Sequence, residues 1–283
     1  MKKVVTAALK GPLYTAIVAT AVVGLSAQQP PAQQAPPPPL APRAAAPIDL
    51  TGNWVSIVNE DWRWRMMTPP KGDYTSVPLN NAGRGEADKW TEAQDGSCQA
   101  YGAAGLMRMP TRVRISWQDD NTLKVETDAG AQTRLLHFAP STGSGQASPA
   151  GAGRSLQGTS VASWEYAGRG GGGGGAGGFG GGGGGGGRGG RGGPPPALPK
   201  FGTLHVVTTN LSGGWLRKNG VPYSQDAVVT ENWDRFKSPN GDEWFVVTTV
   251  VNDPKYLQQE FVTSSHFKKE ADGSKWSPAP CKS

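Results

Sequence analysis

From residue 112 onward, short runs of β-branched and aromatic residues alternate with clusters of Asn, Asp and Gly. Val, Ile, Thr, Trp and Phe are typical of strands, and an Asn-Gly or Asp-Gly pair between two such runs is typical of a hairpin turn. Pairs of this kind stand at 219–220, 240–241 and 272–273. The pattern predicts strands at 112–117, 122–126, 132–138, 228–236, 244–251 and 261–268.

The same pattern indicates the fold class. Residues 244–251 are apolar or Thr on both faces, so we expect a central strand there. The best candidate for a short helix is 86–92. Many short strands with so little helix are typical of an all-β fold. We therefore predict an antiparallel barrel or sandwich, of which a lipocalin-like or calycin-like barrel is one form.

Low-complexity stretches divide the chain. Residues 28–48 are rich in Pro, Ala and Gln, a composition typical of an extended, disordered tether without a core. Residues 139–156 have the composition of a flexible loop, and a second loop at 167–200 contains 21 glycines within 168–193. We predict a single β-rich domain over 49–283, interrupted by these two loops, the second being a disordered Gly-rich insertion.

The glycine tract has two interpretations. Its Arg-Gly-Gly repeats at 188–193 resemble the RGG boxes of RNA-binding proteins, but Phe179 is the one aromatic residue among the glycines. Strand-like runs stand on either side, at 164–166 and 201–209. If these runs are neighbours in one sheet, the tract is an enlarged hairpin loop, and we favour this interpretation over RNA binding.

The first 27 residues have the composition of a secretory signal peptide. Lys2 and Lys3 give a positive start, residues 13–25 are almost wholly apolar, and the sequence ending at Ala27 is a small-residue cleavage site. A retained membrane anchor is the alternative, but the apolar run is shorter than the roughly 20 residues that span a bilayer. We predict a periplasmic or secreted protein with no integral membrane segment after signal removal.

The formal net charge of +6 does not belong to the predicted domain. Lys2, Lys3 and Lys10 lie in the signal peptide, and residues 141–199 carry four arginines against one glutamate. The remainder of the chain is therefore neutral. A nucleic-acid-binding domain would need a basic face of its own, so we do not expect nucleic acid as a partner.

The chain has two cysteines, Cys98 and Cys281. In an exported protein an even number suggests one disulfide, with two unpaired buried thiols as the alternative. A bridge would tie the C-terminus to the middle of the domain, and chain entropy would make it worth about 5 kcal/mol. Two cysteines cannot form a Cys-based zinc site without histidine, and His137, His205 and His266 lie in separate predicted strands. We predict no metal and no cofactor.

The segment 60–65, Glu-Asp-Trp-Arg-Trp-Arg, carries the most distinctive candidate chemistry. If it is a strand, Trp62 and Trp64 share one face and the arginines the other. Such a Trp pair could stack against a sugar or an aromatic ligand. The alternative is a core-facing Trp pair with solvated arginines. Our candidate ligand-binding residues are Trp62, Trp64, Arg63 and Trp54.

Signals for catalysis are few. The segment 158–162, Gly-Thr-Ser-Val-Ala, is closest to a serine nucleophile elbow, but no helix pattern follows it. The acidic pair Glu60-Asp61 could serve glycoside cleavage, whereas the pairs at 119–120 and 242–243 occupy predicted turns. We therefore predict no catalytic residues.

Several motifs from Pro78 onward, in collinear order, resemble an uncharacterised family of secreted, β-rich proteins of soil bacteria. In that family a V-x-E-x-[FYW]-x-R strand is followed by a hairpin and by a V-x-[DE]-D-P-K-x-[YW] strand end. Residues 229–235 match the first pattern, and 253–256, Asp-Pro-Lys-Tyr, resemble the end of the second, with the aromatic residue directly after the lysine. The other matching segments are 78–80, 83–84, 98, 105–107, 158–165, 219–224 and a Cys near the end. The resemblance implies a shared fold and supports a Cys98–Cys281 bridge, but it implies no activity.

A second resemblance lies at the start of the domain. Residues 49–54, Asp-Leu-Thr-Gly-Asn-Trp, are similar to the G-x-W on the first strand of lipocalin-like barrels. No second lipocalin motif follows.

Closed β-barrels bind small apolar ligands at their mouths. We therefore expect a non-catalytic exported domain that binds a small apolar or aromatic ligand. A cell-envelope interaction module and a hydrolase acting on a carbohydrate or ester are the alternatives. A deep apolar cavity would favour the first, a shallow Trp-lined groove the second, and clustered polar groups in a cleft the third. The sequence specifies no oligomeric state.

Overall fold

A computed structural model describes residues 39–138, 153–166 and 201–283. Within them, nine strands close into a barrel, which confirms the predicted all-β architecture. In chain order the strands are β1 (Gly52–Ile57), β2 (Arg112–Asp119), β3 (Thr122–Thr127), β4 (Ala129–Gly130), β5 (Thr133–Phe138), β6 (Thr159–Tyr166), β7 (Gly202–Thr209), β8 (Gly214–Arg217), β9 (Val221–Tyr223), β10 (Val228–Lys237), β11 (Glu243–Asn252), β12 (Phe261–Glu270) and β13 (Ala279–Pro280).

The barrel has the strand order β1-β12-β11-β10-β7-β6-β5-β3-β2, with β2 pairing back to β1. Neighbouring strands are antiparallel except β5 and β6, which run parallel. The predicted central strand is β11, paired along its length with β10 and β12. Lipocalins are up-and-down barrels, so the parallel pair leaves a lipocalin-like form unconfirmed.

Alternation along each strand decides which side chains fill the barrel. In β10, Val229, Glu231 and Trp233 are fully buried, whereas the residues between them are partly exposed. Val113 and Ile115 are the buried positions of β2. Because successive side chains of a strand point to opposite faces, one face of each barrel strand points into the barrel.

Aromatic rings occupy the middle of the barrel. Phe245 stacks on Phe267 with 4.6 Å between ring centroids, and on Trp233 at 5.5 Å. Trp54 meets Phe245 edge-on at 4.8 Å. All four rings are fully buried. The interior is therefore packed with side chains, as the interior of a small barrel generally is.

A polar layer lies at one end of this core. The Arg134 guanidinium donates to both carboxylate oxygens of Glu231, at 3.1 Å and 2.7 Å, and also to the hydroxyl of Thr208 at 3.3 Å. The hydroxyls of Ser160 and Thr208 are 2.8 Å apart. Both charged side chains are essentially inaccessible to solvent. This bidentate pairing offsets much of the cost of burying the two charges.

Residues 58–111 and 210–227 form a cap over the barrel mouth nearest this polar layer. The cap contains α1 (Trp62–Arg65), α2 (Asn81–Ala87), α3 (Ala103–Leu106), two short 3-10 turns and the β8–β9 hairpin. Its apolar residues, among them Leu79 and Leu216, cluster with Val229 and Phe261 at the ends of barrel strands. The cap thus packs on the ends of barrel strands through a second apolar cluster, distinct from the barrel core.

The helix predicted at 86–92 is wrong in position. The observed helix, α2, begins earlier because the Asn80 side chain accepts a hydrogen bond from the Gly83 amide at 2.9 Å. A Cβ at Gly83 would approach the Tyr256 carbonyl oxygen to 2.4 Å, so this helix needs glycine for its close approach. The chain then leaves the helix at Asp88, and only a 3-10 turn, Glu92–Gln94, follows.

The predicted disulfide is confirmed. Cys98 and Cys281 are bonded, with their Cα atoms 4.9 Å apart and a separation of 183 positions in sequence. Next to the bridge, β13 pairs with β4, and the amide of Cys98 donates to the carbonyl of Lys282 at 2.9 Å. The bridge therefore ties the C-terminal segment to the cap.

The mouth opposite the cap is closed differently. Trp117, Phe138 and Trp164 form a ring cluster there, with centroids 5.2–6.4 Å apart. Residues 39–48, at the end of the predicted tether, lie against this cluster: Trp164 donates to the Pro42 carbonyl at 2.8 Å. The last pair of the antiparallel β6–β7 ladder, Tyr166 and Gly202, is at this end. The runs before and after the glycine tract are therefore neighbouring strands, as the hairpin interpretation requires.

The predicted signal peptide, residues 28–38 of the predicted tether, residues 139–152 of the first predicted loop and the Gly-rich insertion at 167–200 lie outside the described residues. Within the described part of the chain, no helix has the length and apolar character needed to span a bilayer.

Candidate functional site

Trp54, one of the four candidate ligand-binding residues, belongs to the barrel core. Its side chain is fully buried against Phe245, and its indole N–H donates to the Leu50 carbonyl at 2.9 Å. A ligand could reach it only by displacing the aromatic packing of the barrel. The structure therefore separates Trp54 from the other three candidates, which lie together in the cap.

Trp62, Arg63 and Trp64 lie on the helical turn α1 rather than on a strand. Asp61 starts the turn in the left-handed region, with φ 51°. In a helix, residues two apart point in different directions, so the two tryptophans do not share a face. Trp62 is 64% exposed, whereas Trp64 is only partly exposed and faces the cap.

Trp64 is fixed by Asp73. The indole N–H of Trp64 and the guanidinium of Arg63 donate to the same Asp73 oxygen, Oδ2, at 3.1 Å and 2.6 Å. Although burial raises the pKa of Asp73, hydrogen bonds from Trp64, Arg63 and Thr75 lower it below its ordinary value. Asp73 is therefore ionised at neutral pH and holds the Trp64 ring over the cap interior.

Two buried arginines belong to this region, Arg65 at the end of the turn and Arg108 beside it. Arg65 donates to Glu60 at 2.8 Å and, through Nε, to the Arg108 carbonyl at 2.9 Å. The Arg108 side chain donates to Asp61 at 2.8 Å. Burial, followed by the nearby charge of Arg108, lowers the pKa of Arg65. Both guanidinium groups are buried, yet each has a carboxylate partner.

Arg217 is the third buried arginine of this cluster, and it has no such partner. It comes from the end of β8, where a register shift follows Trp215. Its side chain is only 3% exposed and lies over the Trp64 ring, 5.0 Å from the centroid. Among the described residues, none accepts a hydrogen bond from any of its three guanidinium nitrogens.

Arg217 nevertheless keeps its charge. Burial, and after it the charge of Arg108, lowers the pKa of Arg217 to about 10, although the nearby charges of Asp61 and Asp73 act in the opposite direction. At neutral pH the guanidinium is therefore protonated. The aromatic ring stabilises a buried cation in part, but the five N–H donors of the guanidinium still lack hydrogen-bond acceptors.

Sequence reasoning missed Arg108 and Arg217. Each lies far along the chain from the 60–65 segment, and only the folded cap brings the three arginines together. A sequence feature that could have pointed to Arg217 is the charged pair Arg217-Lys218, directly after the apolar residues Trp215 and Leu216.

The clefts of the described chain lie elsewhere. One, of about 620 Å³, lies at the mouth opposite the cap and is lined by Asp49, Glu165 and Phe236 among others. A second, of about 500 Å³, lies beside the β8–β9 hairpin and is lined by Glu86, Tyr256 and neighbouring residues. Neither is lined by the aromatic rings of the barrel interior.

The residues considered for catalysis have structural surroundings. Ser160 lies inside the barrel against Thr208, where a substrate would have to displace core packing. Glu60 and Asp61 are paired with Arg65 and Arg108. The Nδ1 atom of His266 lies 3.4 Å from the other carboxylate oxygen of Glu60.

No group of three or more His, Cys, Asp or Glu side chains within residues 39–138, 153–166 and 201–283 is arranged to hold a metal ion. Comparison of the whole chain with models of known families, with curated proteins and with solved structures gives no match.

Proposed function

We propose that this domain is a non-catalytic binding module that takes a small aromatic or apolar ligand on the rim of its cap. The observation that carries the proposal is the exposure of α1 and the two residues after it. Trp62, Met66 and Met67 are 64%, 53% and 68% exposed within six consecutive residues. No other stretch of that length in the described chain exposes three large apolar side chains.

The chemistry of this patch suits a small ring-bearing ligand. Burying a large apolar side chain contributes about 1.5–3 kcal/mol, so leaving Trp62 in water forgoes a stabilisation that a ligand would restore. Methionine side chains are flexible and polarisable, and they adapt to ligands of different shapes. Arg63, which lies beside the Trp64 ring at 5.2 Å, adds a cation to the edge of the patch.

The packing of the barrel supports a site on the rim in preference to one inside. A ligand in the interior would have to displace Phe245 and its three aromatic neighbours. Deleting packing of that kind costs several kcal/mol, about 3–5 for a buried Phe. The rim requires no such displacement.

We also propose that the protein acts outside the cytoplasm, in the periplasm or the medium. The Cys98–Cys281 disulfide supports this location, because disulfides persist in oxidising compartments.

A second candidate function is a cell-envelope interaction module. It is favoured by the position of Trp62, which lies on an exposed turn and lines neither of the larger clefts. A flat or convex apolar patch suits a macromolecular partner as well as a small ring.

Fluorine NMR on protein labelled with 5-fluorotryptophan tests the proposal, with the Trp62 signal assigned from Trp62→Phe. We expect a saturable shift of that signal on titration with 1-naphthol, a neutral aromatic probe. Trp62→Ala should lose the binding, whereas Phe236→Ala, which removes an exposed ring at the opposite mouth, should keep it. Equal binding by Trp62→Ala and wild type would contradict the proposal. A shift with a purified envelope fraction, but with no small aromatic compound, would favour the second candidate.

A further inference from the structure

We propose that the cap contains an oxyanion subsite in which the Arg217 guanidinium binds a carboxylate or phosphate group. Where the proposed function holds, that group belongs to the same ligand whose ring lies against Trp62. The part of the inference that joins the two features rests on the proposed function, but the anion subsite itself does not.

The cluster around Trp64 contains one more positive charge than negative charges. Its four arginines face three carboxylates, and each carboxylate is already engaged: Glu60 with Arg65, Asp61 with Arg108, and Asp73 with Arg63. Arg217 is the arginine without a partner of its own. A ligand with one negative charge would complete the pairing.

The burial of Arg217 shows that its lack of a partner is costly. A solvated arginine satisfies its donors with water, but all three nitrogens of this side chain are inaccessible to solvent. Buried charges are generally paired and hydrogen-bonded because desolvation is otherwise uncompensated. The planar fork of a guanidinium matches the two oxygens of a carboxylate or phosphate, so an oxyanion is the complementary ligand.

A second arginine has unused capacity beside it. Arg65 is 3% exposed, and its Nη2 also lacks an acceptor among the described residues. The charge of Arg108 reaches both Arg65 and Arg217, which places the three cations in one neighbourhood. The Asp61 and Asp73 carboxylates also act on Arg217, but each is paired with another arginine, so the cluster keeps a net positive charge that would stabilise an anion bound there.

Trp64 controls access to the subsite. Its ring lies against Arg217, and a single hydrogen bond to Asp73 fixes the indole nitrogen. The ring is carried by a four-residue turn with the exposed Trp62 on it. An anion reaches Arg217 when the Trp64 ring swings away, and this movement would bring the bound group next to the Trp62 patch.

The competing explanation is a purely structural one, in which Trp64 and Arg217 stabilise each other and nothing binds. The two explanations differ in what removal of Arg217 does. If the arginine is structural, its loss should destabilise the cap. If it is kept for a ligand, its loss should abolish oxyanion binding and leave the fold intact.

The experiment measures binding by calorimetry with four probes: sulfate, phenyl phosphate, benzoate and benzyl alcohol. We expect the wild type to bind phenyl phosphate or benzoate at least 10-fold more tightly than benzyl alcohol. Arg217→Met should lose at least 10-fold in affinity for the anions. Arg217→Lys keeps the charge but not the paired donors of the guanidinium, so its affinity should lie between those of Arg217→Met and the wild type. Arg154→Met, which removes an exposed arginine also in the described chain, should bind as the wild type does.

Asp73→Asn tests the role of Trp64. It weakens the hydrogen bond that holds the indole and removes a negative charge near Arg217. We expect tighter anion binding by this variant, and no change in benzyl alcohol binding.

The outcomes separate the subsite from the proposed function. Sulfate binding that depends on Arg217, without any binding of aromatic compounds, would support the subsite and overturn the proposed function. Binding of benzyl alcohol at Trp62, with anion affinity equal in wild type and Arg217→Met, would support the proposed function and overturn the subsite. Absence of anion binding to the wild type, or an Arg217→Met protein that fails to fold, would overturn the subsite. The ratio of benzoate to phenyl phosphate affinity identifies which oxyanion the ligand carries.

Discussion

Arg134 in the barrel interior and Arg217 in the cap are both buried, but they differ in their hydrogen-bond partners. Arg134 meets Glu231 through two hydrogen bonds and Thr208 through a third. Arg217, equally hidden from solvent, meets the face of Trp64 and has no acceptor among the described residues. One charge is neutralised within the fold, and the other is left with its donors free.

This difference indicates different roles. A buried pair joined by two hydrogen bonds offsets most of its own desolvation cost, and here it links β5 to β10 across the barrel interior. A buried charge without a partner lowers stability, and features of that kind are typically retained for function. The interior is thus a structural core, and the cap is where a ligand is expected.

The largest effect should come from breaking the pair in the interior. Glu231→Gln leaves the Arg134 charge buried with a neutral amide, so we expect a loss of about 3–5 kcal/mol in the free energy of unfolding. Urea denaturation followed by tryptophan fluorescence measures it. The double variant Arg134→Met/Glu231→Leu removes both charges and should recover most of the loss.

An exposed ion pair provides the control for that variant. Asp226→Asn breaks the Arg154–Asp226 pair, whose side chains are both largely exposed, and should cost less than about 1 kcal/mol. A Glu231→Gln protein as stable as this control would show that the interior pair is not structural.

Loss of the disulfide should have the next largest effect on the free energy of unfolding, and this effect should be localised in the cap. Replacing Cys98 and Cys281 together with Ser should cost about 2–5 kcal/mol. Because the bridge joins the C-terminal segment to the cap, hydrogen exchange should increase first in β4, β13 and the turn that carries Cys98. Uniformly faster exchange across the barrel strands would contradict this assignment.

The glycine tract should contribute little to either region. Its flanking pair, Tyr166 and Gly202, is at the mouth opposite the cap. Loop-closure cost changes by only about 0.6 kcal/mol per doubling of loop length. Replacing residues 168–199 with an Asn-Gly turn should therefore leave the melting temperature unchanged or slightly raised, and ligand binding intact. Unfolding would make the tract structural, and loss of binding alone would make it a functional arm.

The sequence predicted the barrel much better than the cap. Strands β10, β11 and β12 follow from runs of β-branched and aromatic residues and from turn residues such as Asn240-Gly241, both of which are local signals. The Glu of the V-x-E-x-[FYW]-x-R motif, Glu231, proves to be the partner of Arg134. The Asp of the D-P-K motif, Asp253, accepts hydrogen bonds from the Ser224 amide and hydroxyl at 2.6 Å and 2.8 Å. Both motif residues are buried and structural.

The cap depends on contacts between distant segments. The residues 62–65 are as compatible with a strand as with a helix, and contacts such as Trp64 with Asp73 and Arg65 with the Arg108 carbonyl accompany the helical turn. No local pattern could place Arg217 beneath Trp64, because the two belong to separate parts of the cap. Sequence reasoning therefore identified the tryptophans of the candidate site but not the arginine they cover.

The unfolding free energy of Arg217→Met, measured in chloride buffer without phosphate, sulfate or carboxylate, tests the central claim most directly. Methionine keeps most of the volume and apolar contact of the arginine but removes the unpartnered charge. We expect the free energy of unfolding of Arg217→Met to equal that of the wild type or to exceed it by about 1–2 kcal/mol. Arg134→Met should instead lose about 3–5 kcal/mol, because it leaves the Glu231 carboxylate buried without a partner. A loss of about 2 kcal/mol or more in Arg217→Met would contradict the account, since it would make Arg217 a structural residue like Arg134.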